Sequence, residues 1–322
     1  MDYGRGEALP HAAVPADLPV EVVGSRSAHP LAASVAAVDR TVEWMSFRVM
    51  DSPGDQWTPG DQWTPGDQWT PGDQWTPGDQ RTGCDQALSD PSFFTRWRAR
   101  VAQQLAEQHT YVPEQTTAGY VLQWYLRIPT YLGAMLFHSA RRVPSLYPRQ
   151  LGFRLDSAWL QEVALRPGRF WCLPDDPDAG HPDAVRVPDV AALGAVLRRE
   201  VVAHAARFLN VYSPLVRFGR HTQWAMVTDM LDSALLRAGR SFGSAQAGAA
   251  DAQLVLAQRE DPLTSASTTC EVTDAHGRTH WTRRRGSCCF FYALPGIEHP
   301  CVSCPRVSDA ERARILGTLD PA

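Results

Sequence analysis

Lysine is absent from this chain: all 31 basic residues are arginine. That absence removes the phosphate-gripping lysine of P-loop enzymes, the Schiff-base lysine of pyridoxal phosphate chemistry and the Ser-Lys dyad. ATP-driven and pyridoxal phosphate reactions are excluded on that ground. Asparagine and isoleucine are also scarce, which points to GC-rich coding rather than to a particular chemistry. Excess positive charge is missing too. The net charge is −4, and it gives no global reason to expect nucleic acid as a partner. Long hydrophobic runs are lacking: stretches such as residues 131–137 fall far short of a bilayer span, so no integral membrane segment is expected. The first 23 residues have no basic start followed by an apolar core, so no signal peptide is read there and the cytoplasm is the expected compartment.

What remains is an ordinary globular composition with one unusual end. Across 322 residues, 44% are hydrophobic and 20% charged, enough for one large or two modest domains with a real core. Four of the seven cysteines, Cys288, Cys289, Cys301 and Cys304, fall within residues 288–304. Four converging thiolates are what a four-cysteine zinc site or an iron–sulfur cluster requires. A structural zinc site is normally gripped by two separate C-x2–4-C knuckles. Here only Cys301 and Cys304 form one, and the other two cysteines are adjacent in sequence. Adjacent side chains diverge, which suits the two separated irons of a 2Fe–2S cluster better than one tetrahedral ion. A zinc clip stays open as the alternative, and a disulfide framework is disfavoured in a reducing compartment.

The same residues carry a resemblance. The Cys-Cys-x11-Cys-x2-Cys run, its Arg-rich lead-in and its aromatic-Leu-Pro-Gly spacer resemble the C-terminal signature of the FhuF-like ferric siderophore reductases. The spacer, residues 290–300, is one residue longer than that pattern. Weaker echoes lie at residues 119–134 and 223–236, so the resemblance runs loosely from residue 89 onward. It implies a 2Fe–2S cluster on Cys288, Cys289, Cys301 and Cys304 and one-electron reduction of a ferric siderophore. It also implies an electron donor such as a ferredoxin or a reduced nicotinamide system. Arg283, Arg284 and Arg285 would offset cluster charge, dock an acidic donor or contact an anionic ferric chelate; a solvated basic loop is the plain alternative. The competing functional class is a non-redox binding protein for siderophores or another partner, stapled by structural zinc. A siderophore-synthesising enzyme is disfavoured by the missing lysine and ATP loop.

The expected fold class is α+β, predominantly helical, with minor β structure and a small C-terminal iron–sulfur motif. Four parts are expected: an N-terminal helical segment (1–50), a tandem-repeat loop (51–83), a helical body (84–270) and the cluster-binding region (271–322). The repeat is GDQWTP, four times over residues 54–77, with a decayed copy at 78–83. Pro-Gly at each junction forbids a helix or long strand, and six residues cannot bury a face against the next unit. It reads as a flexible, passive loop, with a tryptophan-bearing capture arm as the alternative.

Periodicity predicts helices over residues 29–47, from Pro91 to about 109, over 113–142 with a kink or break at Pro129, from 190 towards 212, and over 222–238. Aromatics in the 113–142 helix read as core. Residues 151–173 suggest two short strands, 175–184 a surface loop, 239–251 a hinge or loop, and 254–259 and 268–272 short strands. Residues 308–317 form a closing helix that starts with a capping box. Cys84, Cys172 and Cys270 read as packed side chains, His204 and His221 as structural histidines, His276 and His280 as flanks of a hairpin turn. His299 is a remote substitute ligand.

Overall fold

The computed structural model describes residues 28–50, 81–297 and 299–318. Residues 1–27 and the repeat up to residue 80 lie outside them. The element order is α1 (Pro30–Thr41), β1 (Ser46–Val49), β2 (Thr82–Gly83), α2 (Cys84–Ser89), α3 (Pro91–Ala106), α4 (Glu114–Ala140), β3 (Arg142–Pro144), β4 (Leu151–Asp156), β5 (Trp159–Leu165), β6 (Phe170–Cys172), β7 (Ala184–Arg186), α5 (Val190–Tyr212), α6 (Arg220–Ser241), α7 (Ala245–Val255), β8 (Thr269–Thr273), β9 (Thr279–Arg283) and α8 (Asp309–Thr318). The predominantly helical α+β class read from the sequence is what the structure has.

Helix α4 is the axis of the molecule. Apolar residues surround most of its circumference, and Leu122, Tyr125, Leu126, Leu132 and Leu136 are completely buried between α3, α5 and α6. A helix that is apolar on nearly every side must be wrapped by others. The break expected at Pro129 does not occur: one helix of 27 residues runs through it. Pro129 lacks the N–H that would reach Tyr125, while the next residue, Thr130, bonds Leu126 O through its hydroxyl at 2.7 Å. Close packing on all sides holds the helix together where its own ladder is missing a rung.

Three small sheets flank the bundle. β1, β5, β4 and β2 lie side by side in that order, with β1 parallel to β5 and the other pairs antiparallel. β3, β6 and β7 form the second, and β8 with β9 a hairpin. Residues 151–173 therefore hold three strands, not two. The helix expected to reach Phe47 stops at Thr41, because Asp39 accepts the Phe47 N–H at 2.8 Å and turns the chain into β1. The Asp/Pro-rich loop at 175–184 is not merely superficial. Asp176, almost fully buried, pairs with the equally buried Arg142 at 2.6 Å, and Arg142 also donates to Pro30 O at 3.0 Å.

Residues 239–251 are the clearest departure from the sequence reading. Instead of a hinge they end α6 and form most of α7. A Cβ placed on Gly239 would lie 2.3 Å from Gly248 N and 2.4 Å from Gly248 Cα. The small residues are there because two helix backbones touch, not because the chain flexes. The strand expected at 254–259 is the end of α7 and the turn after it.

His204 is structural as expected, its Nδ1 donating to Leu146 O at 2.6 Å and its Nε2 meeting Tyr125 Oη at 3.1 Å. His221 is exposed in the first turn of α6. Cys84 and Cys172 are completely buried, while Cys270 is half-buried. The β8–β9 hairpin carries His276 in its turn and His280 in β9, both beside Asp274, which accepts from the His276 and Arg278 amides at 2.8 and 3.0 Å. Among the described residues, no helix is long and apolar enough to cross a membrane.

Candidate metal centre

The segment after β9 has almost no regular structure, so side chains from elsewhere must hold it. Asp229 of α6, 2% exposed, is the chief anchor. Its Oδ1 accepts the Gly286 N–H at 2.8 Å, and its Oδ2 accepts the Ser287 N–H at 2.8 Å and the Ser287 hydroxyl. A carboxylate that accepts three bonds from consecutive residues fixes the chain immediately before Cys288. The Arg285 N–H donates to Ser303 O at 3.0 Å and joins this anchored end to the second cysteine pair. Phe290 takes a left-handed conformation (φ 58°) just after Cys289, its carbonyl accepts from the Thr116 hydroxyl at 3.1 Å, and its ring stacks on Phe218. Around Cys301 and Cys304 the chain makes a tight turn, with Cys304 N–H on Cys301 O at 2.8 Å. Arg312 of α8, 1% exposed, donates to Val302 O and to Val307 O (3.0 Å), which clamps that turn from outside. The Ser308 hydroxyl accepts the Glu311 N–H at 3.2 Å, so the N-terminal cap read from the sequence is present.

These anchors bring the cysteines together. The sulfurs of Cys289 and Cys301 are 4.0 Å apart. Two sulfurs on one tetrahedral metal with bonds of about 2.3 Å sit about 3.8 Å apart, so this pair is already at coordination distance. One preset sulfur pair is what each iron of a binuclear group needs, so the donor set fits a 2Fe–2S cluster.

Among the cysteines, the electrostatics favour a thiolate at Cys289. Cys289 is pulled down to about 5, first by the hydrogen bond from Cys301 and then, against burial, by Arg285; Cys301, holding the proton and facing that charge, is pushed far up. Burial raises Cys288, and the neighbouring sulfurs of Cys289 and Cys304 add to it. Cys304 is 2% exposed and lies innermost.

The three consecutive arginines do not form one surface. Arg283 turns inward, donating to Asp229 O at 3.0 Å. Arg284 turns outward and pairs with Asp309 at 2.6 Å. Arg285 lies under the cysteines, donating to Gln123 Oε1 at 2.8 Å with its Nε 3.7 Å from Asp229. Burial opposes its charge, but Asp229 and the cysteine sulfurs outweigh burial and hold it above the ordinary guanidinium range. His299 is exposed.

Cys289 and Cys301 open onto a cavity of about 400 Å³ whose far wall is α4: Tyr120, Gln123, Trp124 and Arg127. Sequence reasoning missed this wall and the anchor Asp229. Reading the aromatics of α4 as core holds for Tyr125, whereas Tyr120 and Trp124 are only partly buried. The signal was available: Tyr120, Trp124 and Arg127 recur at i, i+4 and i+7, a polar-aromatic stripe on an otherwise apolar helix. Burial and the charges of Cys289 and Cys301 lift the Tyr120 hydroxyl to about 12, so it remains protonated.

A second cluster, His29, His181 and Asp183, also went unread. Both histidine Nδ1 atoms accept backbone N–H groups, from Leu31 at 3.2 Å and Asp183 at 3.1 Å. That bonding places the proton of a neutral ring on Nε2, the wrong tautomer for ligating a metal there. With His29 Nε2 3.4 Å from Asp183, it is a polar cluster joining the start of α1 to the loop before β7.

Residues 285–306 match the family model of the FhuF 2Fe-2S C-terminal domain. The cofactor of that domain is a 2Fe–2S cluster, in agreement with the cysteine pattern. The match spans Cys288, Cys289, Cys301 and Cys304 and leaves the helical body outside it. No curated protein matches the chain.

Proposed function

We propose that this protein is a cytoplasmic ferric siderophore reductase whose 2Fe–2S cluster is held by Cys288, Cys289, Cys301 and Cys304. The observation that carries the reading is the Cys289–Cys301 sulfur pair, preset at 4.0 Å and opening on the Arg- and Trp-lined cavity. When bound, the cluster supplies a relay for single electrons. Arg285 keeps a buried positive charge beside the sulfurs, which offsets negative charge there and favours acceptance of an electron. Asp229, Ser287 and Arg312 hold both cysteine pairs in place, so little rearrangement accompanies a change of charge. The cavity keeps the chelate near Cys289 and Cys301.

No acid–base machinery is required. A ferric ion is hard and tightly held by hydroxamate or catecholate oxygens; one electron converts it to ferrous iron, whose grip on those oxygens is weaker. The electron comes from a donor such as a ferredoxin or a reduced nicotinamide system, and the liberated oxygens take protons from water. Arg284, half-exposed and paired with Asp309, is the most exposed of the three arginines, which supports it as the one that meets an acidic donor. The test is to mix dithionite-reduced, oxygen-protected protein with a ferric siderophore and a chromogenic ferrous trap. Ferrous complex should form stoichiometrically with reduced protein, and Cys301→Ser should abolish both colour and reduction. A zinc-loaded, colourless protein would refute the reading.

A further inference from the structure

Arg127 lines the cavity beside the cysteines but takes no part in anchoring their loop. Its guanidinium lies 3.7 Å from the Trp124 ring centre, its Nε is buried without a hydrogen-bond partner, and it makes no ion pair among the described residues. It lines the same cavity as Cys289 and Cys301, and its leading electrostatic neighbours are Tyr131, Arg237, Arg285 and Tyr120. A second space of about 160 Å³, lined by Arg237, Arg240 and Arg283, lies next to the cavity and shares Ser303 with it. Arg237 and Arg240 also lack ion pairs among the described residues, since the nearby acids are committed: Asp229 to the cysteine loop, Asp232 to Ser267 and Thr268. Arg127 and Arg285 line the main cavity and Arg237, Arg240 and Arg283 the space beside it; Asp229 lies 3.7 Å from Arg285 and 4.0 Å from Arg283, which leaves Arg127, Arg237 and Arg240 without an ion pair among the described residues. Stacked on Trp124, Arg127 has its face occupied and its N–H edge free, the arrangement that binds planar oxygen anions.

We propose that this groove selects ferric chelates of net negative charge, with Arg127 as the specificity-determining residue and Trp124 and Tyr120 as the apolar wall. The inference rests on the proposed reductase function and narrows its substrate class. A small chelate is favoured over an acidic protein because the site is concave and aromatic-walled, and its volume is that of a small-molecule pocket.

Gallium(III) substitutes for ferric iron without accepting an electron, so binding is separable from reduction. Gallium tris-catecholate chelate (net negative) and gallium tris-hydroxamate chelate (neutral) are titrated into cluster-loaded protein by calorimetry at low and high salt. The anionic chelate should bind more tightly, weaken as salt rises, and lose about tenfold to a hundredfold in affinity in Arg127→Gln, as expected for one charge-assisted contact. The neutral chelate should be nearly indifferent to both changes. Arg127→Lys and Trp124→Leu, checked for cluster absorbance and helical content, guard against a folding defect: the first should retain part of the affinity, the second should weaken both chelates. Equal affinity for the two chelates, no binding of the anionic one, or an unaffected Arg127→Gln would overturn the proposal. If the anionic gallium chelate binds as expected but its ferric counterpart is not reduced, the reductase reading fails and the groove stands.

Discussion

Replacing Asp229 by Asn exchanges two acceptor oxygens for one acceptor and one donor while leaving shape unchanged. Asp229 accepts from Gly286 N, Ser287 N and the Ser287 hydroxyl, and it lies 3.7 Å from Arg285 and 4.0 Å from Arg283. Hydrogen bonds to a charged group are worth about 1.5–3 kcal/mol each, and a buried pair broken on one side costs about 3–5 kcal/mol. The new amide donor would face an N–H on at least one side, so a loss of about 3–5 kcal/mol is expected for the ordered cysteine loop. That is a factor of about a hundred or more in its population at about 1.4 kcal/mol per decade. The main core should survive, because after Leu263 only Leu294 belongs to it. Visible absorption per chain should fall sharply while the far-UV helical signal is kept. Asp232→Asn is the control. Its carboxyl, which burial holds above the ordinary range, bonds Ser267 and Thr268 rather than the cysteine loop, and its cluster content should stay near wild type. An Asp229→Asn protein that retains its full cluster, or one that unfolds altogether, would refute this account of how the loop is held.

Gly239→Ala should destabilise the fold by about 3 kcal/mol and lower Tm by about 6 °C or more, because the added carbon meets Gly248 backbone rather than a movable side chain; thermal unfolding measures it, and a hinge would show no change. His204 supplies a pH dependence. Burial pulls it to about 4, against about 6.5 in an unfolded chain, so below about pH 6.5 the unfolded state takes up a proton that the fold refuses. Stability should be unaffected above about pH 7 and fall by up to about 3 kcal/mol as pH drops from about 6.5 to about 4. Urea midpoints across that range should show a slope that His204→Gln reduces.

The sequence carried the helical class, the helix starts at Pro91 and Val190, the cap at Ser308 and the 2Fe–2S pattern that the family model matches, because each is a local signal. It misjudged what depends on distant partners. Glycine and alanine at 239–251 have the composition of a loop, and only the approach of a second helix makes them a packing seam. Pro129 should break an isolated helix, and burial on all sides keeps it whole. The cavity wall on α4 and the anchor Asp229 share this character. Both are polar residues on apolar helices whose purpose appears only when the tail, more than fifty residues beyond Asp229 in sequence, folds back onto them. The arginine triplet was legible as charge but not as direction, since Arg283, Arg284 and Arg285 point to three different partners.

The most direct test is elemental. Protein purified without oxygen should contain two irons and two acid-labile sulfides per chain and should bleach on dithionite addition with the appearance of a paramagnetic signal. One zinc per chain, no labile sulfide and no change on reduction would contradict the assignment of Cys288, Cys289, Cys301 and Cys304 to an electron-carrying cluster.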